Sequence, residues 1–266
     1  MINHSFAVLA YGDSPHLPAC LDSLKAQVVQ SIIYISTSTP SQYIQKTADR
    51  YGIPVLKTTV GLGIAHDWSF GFSQARTKYV TLAHQDDVYS PHYTDMCVKA
   101  ADRFSDTLIC FTDYTELVDD VERSDTSLLR TKRLMNRVFM PLHNNINSKF
   151  WKKMSLSFGS AISCPSVLYD KEMLTSFVFS DEFKINMDWD AWLRMAQMNG
   201  RFVYVPQKLL KHRIHKASAT TVGLQQNTRQ SEDMTIFTRL WPKPIAAILA
   251  NLYKRSYSSN DTTQTR

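Results

Sequence analysis

Two adjacent aspartates, Asp86 and Asp87, follow the apolar segment YVTLA and a His-Gln pair. Neighbouring carboxylates repel each other, and a bound hard cation such as Mg²⁺ or Mn²⁺ would relieve that repulsion. Bound phosphates would supply further oxygens to the same ion. The other explanation is a turn whose aspartates cap the next helix, but Ser90 already suits that role. The pair is therefore a candidate metal site.

Two further segments could contribute to chemistry. Asp188 and Asp190 open the segment MDWDAWLRMA, where they would stabilise the first turn of a helix and could also supply a general base. The segment HRIHKAS brings His212, Arg213 and His215 beyond a predicted strand, and these side chains suit phosphate or metal contacts. Alternation along an extended segment predicts Arg213 and His215 on one face and His212 on the other.

The glycine loop VGLGIAHDWSFGF excludes two nucleotide-binding classes. It lacks the third glycine of the Gly-x-Gly-x-x-Gly pattern and the Gly-Lys-Ser/Thr of the Walker A pattern. A Rossmann dehydrogenase and a P-loop NTPase are therefore not indicated.

The elements that must position these residues alternate along residues 5–112. Buried strands are predicted at SFAVLA, SIIYIS, IPVLKT, KYVTLA and TLICFT. Helices between them start at Ser14-Pro15, Ser41, the glycine loop and Ser90-Pro91, and the helix capped by Ser41 is predicted to stop at Gly52. This alternation predicts an α/β fold with a mainly parallel sheet flanked by helices. Ligands bind beyond the carboxyl ends of such strands, which is where Asp86 and Asp87 stand.

Regularity weakens between residues 113 and 160, where basic residues accumulate. This region is either a solvated helical insertion or a mobile basic wall over an anionic substrate. Beyond it, PSVLYD and RFVYVP are predicted strands, and WDAWLRMAQMNG is a predicted helix with Trp189 and Trp192 facing inward. The basic residues of the weak region are Arg123, Arg130, Lys132, Arg133, Arg137, Lys149, Lys152 and Lys153.

Composition and charge bound the class of protein. With 266 residues, 44% hydrophobic and 20% charged, the chain reads as an ordinary globular protein, and a net charge of +6 favours an anionic partner. Scattered positive charge without a recognised motif argues against nucleic acid. The short N-terminal apolar run and the absence of a stretch of about 20 apolar residues predict a cytoplasmic protein. The four dispersed cysteines are predicted to be buried, reduced thiols.

The order of these motifs resembles glycosyltransferase family 2, with the GT-A fold, over about residues 5–220. FAVLAYGDSPHLPACLDSLKAQ resembles the opening strand and helix of that family, and GLGIAHDWSFGFSQARTKYVTLAHQDD resembles its glycine-containing helix and Asp-x-Asp-type metal motif. MDWDAWLRMA is similar to its Glu-Asp-x-Asp helix, and KLLKHRIHKASAT to its closing Arg-x-His-x-x-Ser segment.

The resemblance implies a nucleotide-sugar donor, Mn²⁺ or Mg²⁺, and a direct displacement that inverts the anomeric carbon. Asp86 would approach the ribose or the metal, and Asp87 would be a metal ligand on the diphosphate, with either aspartate open as the direct ligand. Asp188 would deprotonate the acceptor hydroxyl. Trp189 and Asp190 would lie on the acceptor side. The residues expected to contact the nucleotide-sugar are Ala10, Tyr11, Ser36, Asp67, Asp86, Arg213 and His215.

Three positions depart from the family pattern. The segment YISTSTPSQ has only hydroxyls where an aspartate usually recognises the nucleotide base. His84 replaces the first aspartate of the metal motif, and Met187 replaces the glutamate before the expected base. These departures keep open a non-catalytic nucleotide-sugar-binding relative. A sugar-nucleotide nucleotidyltransferase is a further alternative, although AVLAYGDSPHLPACL lacks the glycine- and arginine-rich signature expected of that class.

The C-terminal segment carries an apolar stripe of Trp241, Ile245, Ile248, Leu249 and Leu252 with basic residues on either side. It predicts either a helix packed on the domain or an interfacial helix on anionic lipid, which would suit a lipid-linked acceptor in surface polysaccharide synthesis. The predicted organisation is a glycosyltransferase domain at 1–235, an amphipathic helical element at 236–255 and a disordered tail at 256–266.

Overall fold

A computed structural model describes residues 2–140, 144–215 and 228–254. The predicted tail at 256–266 lies outside these residues. Ten strands form one sheet in the described part of the chain, in the order β3-β2-β1-β4-β9-β6-β10-β5, with β7 beside β6 and β8 beside β10. The strands are β1 (His4–Leu9), β2 (Ile32–Thr37), β3 (Val55–Lys57), β4 (Tyr79–His84), β5 (Val88–Tyr89), β6 (Thr107–Val118), β7 (Val121–Arg123), β8 (Asn145–Ile146), β9 (Val167–Asp170) and β10 (Arg201–Ile214).

Helices cover both faces of the sheet. They are α1 (Leu17–Lys25), α2 (Gln42–Tyr51), α3 (Ile64–Gln74), α4 (Tyr93–Ala101), α5 (Ser127–Phe139), α6 (Lys149–Leu156), α7 (Met187–Ala196), α8 (Thr228–Leu240) and α9 (Lys243–Lys254), with a 3₁₀ turn at Cys164–Ser166. Among the described residues, no helix combines the length and apolar character needed to cross a membrane.

The predicted α/β class and mainly parallel sheet are confirmed. Strands β3, β2, β1 and β4 pair in parallel, and β6 pairs in parallel with β10. Strand β9 lies between β4 and β6 and runs antiparallel to both. Because β9 is antiparallel to both of its neighbours, β6 runs in the same direction as β4. The carboxyl ends of β1, β2, β4, β6 and β10 therefore share one edge of the sheet.

Alternation along each strand separates two apolar cores. On β1, Phe6 and Val8 enter the core beneath α1, α2 and α4, whereas Ala7 enters the core beneath α3 and α7. Helix α7 inserts Trp189 and Trp192 into the second core, as predicted. All four cysteines are buried and none is bonded to another.

The predicted helix N-cap is correct for one helix and wrong for two. Ser41 accepts a hydrogen bond from the Ile44 N–H at 3.1 Å, and α2 stops at Gly52 in the left-handed conformation, both as predicted. Ser14 and Ser90 do not cap their helices: α1 begins at Leu17 and α4 at Tyr93, and neither N-cap residue makes a side-chain cap. Each Ser-Pro pair instead lies in the turn that precedes its helix.

The described parts of the basic region, 113–140 and 144–160, contain the end of β6, β7, α5, β8 and α6, and the two helices agree with a helical insertion. Lys152 does not belong to a solvated or mobile surface, because its side chain is fully buried. Its ammonium donates hydrogen bonds to the carbonyls of Met198 at 2.8 Å and Gly200 at 2.6 Å, just beyond α7. Burial lowers the pKa of Lys152 to about 8.

Pro242 separates α8 from α9, so Trp241 lies in the turn between the two helices and the other four members of the C-terminal stripe lie on α9. Ala246 is buried, and Trp241, Leu249 and Tyr253 pack on the core around Trp189. Ile245, Ile248 and Leu252 remain 42–61% exposed. One face of α9 is therefore packed on the domain and another is open.

Candidate active site

A cavity of about 1180 Å³ opens at the shared carboxyl edge of the sheet. Its walls come from the ends of β1, β2, β4 and β10, from the start of α3 and from the first turn of α7. Of the residues predicted to bind the donor, the metal or the acceptor, those that line it are Ala10, Tyr11, Ser36, Asp67, Asp86, Asp188, Trp189 and His215. Asp87, Asp190 and Arg213 lie behind these walls.

One end of the cavity is a polar wall formed by the ends of β1 and β2 and by α3. The Ser38 hydroxyl donates to Asp67 Oδ2 at 2.7 Å. The other carboxylate oxygen of Asp67 and the Ser36 hydroxyl are buried without a hydrogen-bond partner among the described residues. Buried polar atoms are rarely left unsatisfied, so this wall is suited to a polar ligand.

Close helix packing brings Asp67 to this wall. A Cβ on Gly71 would lie 2.9 Å from Leu9 Cδ2 and 3.4 Å from the Ser36 hydroxyl, so the glycine lets α3 approach β1 and β2. Helix α3 follows Gly63, whose φ of +89° is easily adopted only by glycine. The first turn of α3, which carries Asp67, is thereby held against the end of β2.

The loop after β1 is fixed to the loop after β4. Gln85 accepts from the Tyr11 N–H at 3.3 Å and donates to the Tyr11 carbonyl at 2.8 Å. The two hydrogen bonds align Ala10 and Tyr11 with the Asp86-Asp87 turn.

Asp86, Asp87 and His84 form a compact group whose potential ligand atoms lie within 4.8 Å of one another. Asp87 is fully buried. Its Oδ1 accepts from the Arg213 N–H at 2.8 Å and lies 3.0 Å from His212 Nδ1. Its Oδ2 has no hydrogen-bond partner among the described residues. The buried, unpartnered oxygen and the carboxylate-imidazole set fit a divalent cation.

The segment after residue 211 supports this turn from β10. His215 Nε2 lies 2.8 Å from Asp86 Oδ2. The Arg213 guanidinium donates to the Asp86 carbonyl at 2.9 Å and pairs with Asp120. The expectation that strand alternation would keep His212 away from His215 is wrong, because both rings line the cavity. The end of β10 lies beside the Asp86-Asp87 turn, so successive residues of β10 reach different atoms of that turn.

These contacts fix the charges of the group. Burial alone would raise the pKa of Asp86, but the hydrogen bond with His215 and the electrostatic influence of the neighbouring imidazoles lower it to about 2. Burial would lower the pKa of His212, but the charge and hydrogen bond of Asp87 raise it to about 8. Asp86 is therefore an anion at neutral pH.

Asp188 lines the same cavity from the first turn of α7. It is half-buried, and its Oδ1 accepts from the Trp189 N–H at 2.7 Å. Burial raises its pKa, and the charges of Arg229 and Lys132 only partly offset that effect. A carboxylate with a raised pKa is a stronger base than an ordinary aspartate.

The structure does not expose Trp189 and Asp190, the two residues predicted to lie on the acceptor side, to the cavity. Trp189 borders the cavity but is 1% exposed, and its indole N–H donates to the Leu156 carbonyl at 3.1 Å. Asp190 points away from the cavity and forms ion pairs with Arg194 at 2.8 Å and Arg239 at 3.8 Å. In this structure both side chains hold α7 in place, and neither is free to contact an acceptor.

The structure adds residues that the sequence reasoning did not select. His84 joins the candidate metal group, and Lys132, Arg229 and Tyr253 reach the cavity beside Asp188 from α5, α8 and α9. His84 could have been chosen, because it stands two residues before Asp86 and imidazole is a metal ligand. Lys132 belongs to the basic region that was one candidate for a wall over an anionic substrate, whereas Arg229 and Tyr253 give no sequence signal, because they come from helices distant in sequence.

This fold and site define an α/β protein with a carboxylate-rich, nucleotide-sized cavity at the ends of its strands. The sequence model of glycosyl transferase family 2 matches residues 5–158, and the chain belongs to that family. No curated protein matches the chain.

Solved structures share the fold at low sequence identity. The chain is similar to S. aureus TarS residues 1–349 in complex with UDP-GlcNAc, with a TM-score of 0.61, 12% identity, and 99% of this chain and 74% of that chain covered. It is also similar to the mannosyltransferase PcManGT from Pyrobaculum calidifontis in complex with GDP-Man and Mn²⁺, with a TM-score of 0.66, 12% identity, and 98% and 72% covered. A third similar structure is glucosyl-3-phosphoglycerate synthase from Mycobacterium tuberculosis in complex with Mn²⁺, UDP and glucosyl-3-phosphoglycerate, with a TM-score of 0.57, 14% identity, and 90% and 80% covered.

Proposed function

We propose that the protein is an inverting glycosyltransferase that moves a sugar from a nucleotide-diphosphate donor to a hydroxyl of a glycan or lipid-linked acceptor. The observation that carries the proposal is that Asp188, His84 and Asp86 line one cavity, with Asp87 buried directly behind Asp86. A displacement at an anomeric carbon needs a base on the acceptor side and charge stabilisation on the leaving-group side. We propose that Asp188 supplies the first and that His84, Asp86 and Asp87, through a bound cation, supply the second.

In the proposed reaction Asp188 accepts the proton of the acceptor hydroxyl. The acceptor oxygen forms a bond to the anomeric carbon from one side, and the bond from that carbon to the diphosphate oxygen breaks on the other. The nucleoside diphosphate leaves with the bonding electrons. The raised pKa of Asp188 suits proton uptake. The single displacement inverts the anomeric configuration.

His84, Asp86 and Asp87 would hold a divalent cation, Mn²⁺ or Mg²⁺, which would neutralise the charge of the diphosphate when bound. His215 lines the cavity and keeps Asp86 oriented, so it is proposed to contact the diphosphate as well. Arg213 is buried behind the turn, and its proposed role is to position Asp86 and Asp87 through their backbone and side-chain oxygens.

Asp67 is proposed to recognise the nucleotide base. The segment after β2 has no aspartate, but Asp67 reaches Ser38 from α3 and supplies a carboxylate at that place. Its unpartnered oxygen and the Ser36 hydroxyl can accept from and donate to a base. Ala10 and Tyr11 would contact the nucleotide from the loop after β1.

The proposed acceptor class agrees with an open face on α9. Ile245, Ile248 and Leu252 are exposed within one stripe, and Lys243 and Lys254 stand at the two ends of the helix. Apolar side chains bordered by lysines suit the surface of an anionic membrane. We propose peripheral contact with the cytoplasmic face of the membrane, where a lipid-linked acceptor of surface polysaccharide synthesis would be presented.

The transfer step is tested by measuring nucleoside diphosphate release from a panel of nucleotide-sugars in the presence of Mn²⁺. Asp188→Asn should bind the donor nucleotide with wild-type affinity but lose release by about 10²-fold or more. Asp181→Asn, at an exposed aspartate outside the cavity, is the matched control. Wild-type turnover in Asp188→Asn would remove Asp188 from the base role. Nucleotide binding without release in the wild type would favour the non-catalytic relative.

The membrane contact is tested by sedimentation with vesicles of neutral lipid alone and of neutral lipid mixed with anionic lipid. The wild type should sediment with the anionic vesicles, and Ile245→Ser with Ile248→Ser and Leu252→Ser should not. Ala247→Ser, on an exposed position of the same helix, should behave as wild type. Equal sedimentation of the triple variant, or none by the wild type, contradicts the proposed contact.

A further inference from the structure

The His84 ring is held at the site in a way that its neighbouring imidazoles are not. It ends β4 and packs beside Trp68, with ring centroids 5.5 Å apart. Its Nδ1 is 4.0 Å from the unpartnered Asp87 Oδ2, and its Nε2 is buried without a hydrogen-bond partner in the described ranges. The packing contact orients the ring, leaves Nε2 without a hydrogen bond in the described ranges and points Nδ1 toward Asp87 at a distance longer than a hydrogen bond.

The two other imidazoles each contact a carboxylate. His212 Nδ1 contacts Asp87 Oδ1, and His215 Nε2 contacts Asp86 Oδ2. In metal sites such contacts orient a carboxylate ligand from behind. In contrast, a ring nitrogen of His84 and one carboxylate oxygen each from Asp86 and Asp87 all lie within 4.8 Å of one another.

We propose that His84 is a direct nitrogen ligand and that it makes the site select Mn²⁺ or a later transition ion over Mg²⁺. Carboxylate oxygens serve Mg²⁺ and Mn²⁺ alike, whereas an imidazole nitrogen is a poor ligand for Mg²⁺ and a good one for transition ions. The purpose of the ion rests on the proposed function, but the identity of its ligands can be tested with metal ions alone.

The ligand is identified by electron spin echo spectroscopy of the protein with Mn²⁺ and no nucleotide. The wild type should show modulation from a coordinated ¹⁴N nucleus. His84→Asp should retain Mn²⁺ but lose that modulation. His92→Ala, which removes an exposed imidazole outside the cavity, is the control.

Selectivity is measured by calorimetric titration with MnCl₂ and with MgCl₂. Replacing His84 by aspartate should lower the ratio of Mn²⁺ to Mg²⁺ affinity by about tenfold or more, and His84→Ala should weaken Mn²⁺ binding by about 10- to 100-fold. Circular dichroism establishes that each variant is folded, and His84→Ala replaces His84→Asp if the latter is not.

Two results would overturn the proposal: ¹⁴N modulation that persists in His84→Asp, or an unchanged affinity ratio. Failure of the proposed function gives a different pattern. In that case no nucleoside diphosphate binds in the presence of Mn²⁺, while the ¹⁴N modulation of the wild type and its loss in His84→Asp remain.

Discussion

His4 makes the stability of this fold depend on pH in a calculable way. Its ring is 1% exposed, with Nδ1 2.9 Å from the Ser31 hydroxyl and Nε2 3.0 Å from the Thr81 hydroxyl. These contacts join β1 to β4 and to the residue before β2, the strands that carry one wall of the cavity. Burial lowers the pKa of His4 from 6.5 to about 3, so the folded protein keeps the ring neutral.

The sign follows from proton binding. Between pH 6.5 and 3 the unfolded chain takes up a proton at His4 and the folded protein does not, so the free energy of unfolding falls as the pH falls. Below pH 6.5 the loss is about 1.4 kcal/mol per pH unit, and since about 1.5 units of the range from pH 7 to pH 5 lie below that value, the loss over this range is about 2 kcal/mol. Above pH 6.5 the contribution is complete.

The perturbation is His4→Gln, which retains polar atoms but removes the titration. Urea unfolding at pH 7 and pH 5 gives the loss in free energy of unfolding for each protein over this range. Subtracting the loss of the variant from that of the wild type cancels the contributions of the other titrating groups. The wild type should lose about 2 kcal/mol more than the variant over this range. His92→Gln, at an exposed position, controls for the loss of a histidine. An equal loss in wild type and His4→Gln would refute the reasoning.

Two further predictions concern packing around the site. Gly71→Val should lower the free energy of unfolding in urea by about 1–3 kcal/mol, because its Cβ would lie 2.9 Å from Leu9 Cδ2; an unchanged unfolding midpoint would show that α3 can move away without cost. Lys152→Met should cost about 2–4 kcal/mol in the same assay, because two buried carbonyls lose a charged donor. Lys153→Met, at the exposed neighbouring position, should stay within about 0.5 kcal/mol of wild type; equal costs for the two lysine variants would contradict the burial argument.

The sequence predicted those parts of the fold that local patterns determine. Apolar runs of strand length located β1, β2, β4 and β10, and Ser41 and Gly52 bounded α2 correctly. The position of Asp86 and Asp87 at a strand end followed from the same runs.

Other features depend on tertiary contacts and leave no local trace. The burial of Lys152 depends on carbonyls more than 40 residues away. The contact of His212 with Asp87 depends on how β10 ends beside the turn after β4, which strand alternation alone does not describe. The cations beside Asp188 come from α5 and α8, so only the folded chain brings Lys132 and Arg229 to the cavity.

The central claim is that the cavity binds a nucleoside diphosphate together with a divalent cation held at Asp86 and Asp87. The direct measurement is the thermal unfolding temperature with UDP, GDP, dTDP or CMP, with and without Mn²⁺, for wild type and Asp87→Asn. A ligand at 100 times its dissociation constant should stabilise the wild type by about 2.7 kcal/mol, or roughly 5–10 °C, only when Mn²⁺ is present. Asp87→Asn should lose that shift. No shift with any nucleotide would contradict nucleotide binding in the cavity, and an equal shift in Asp87→Asn would contradict a cation held by Asp87.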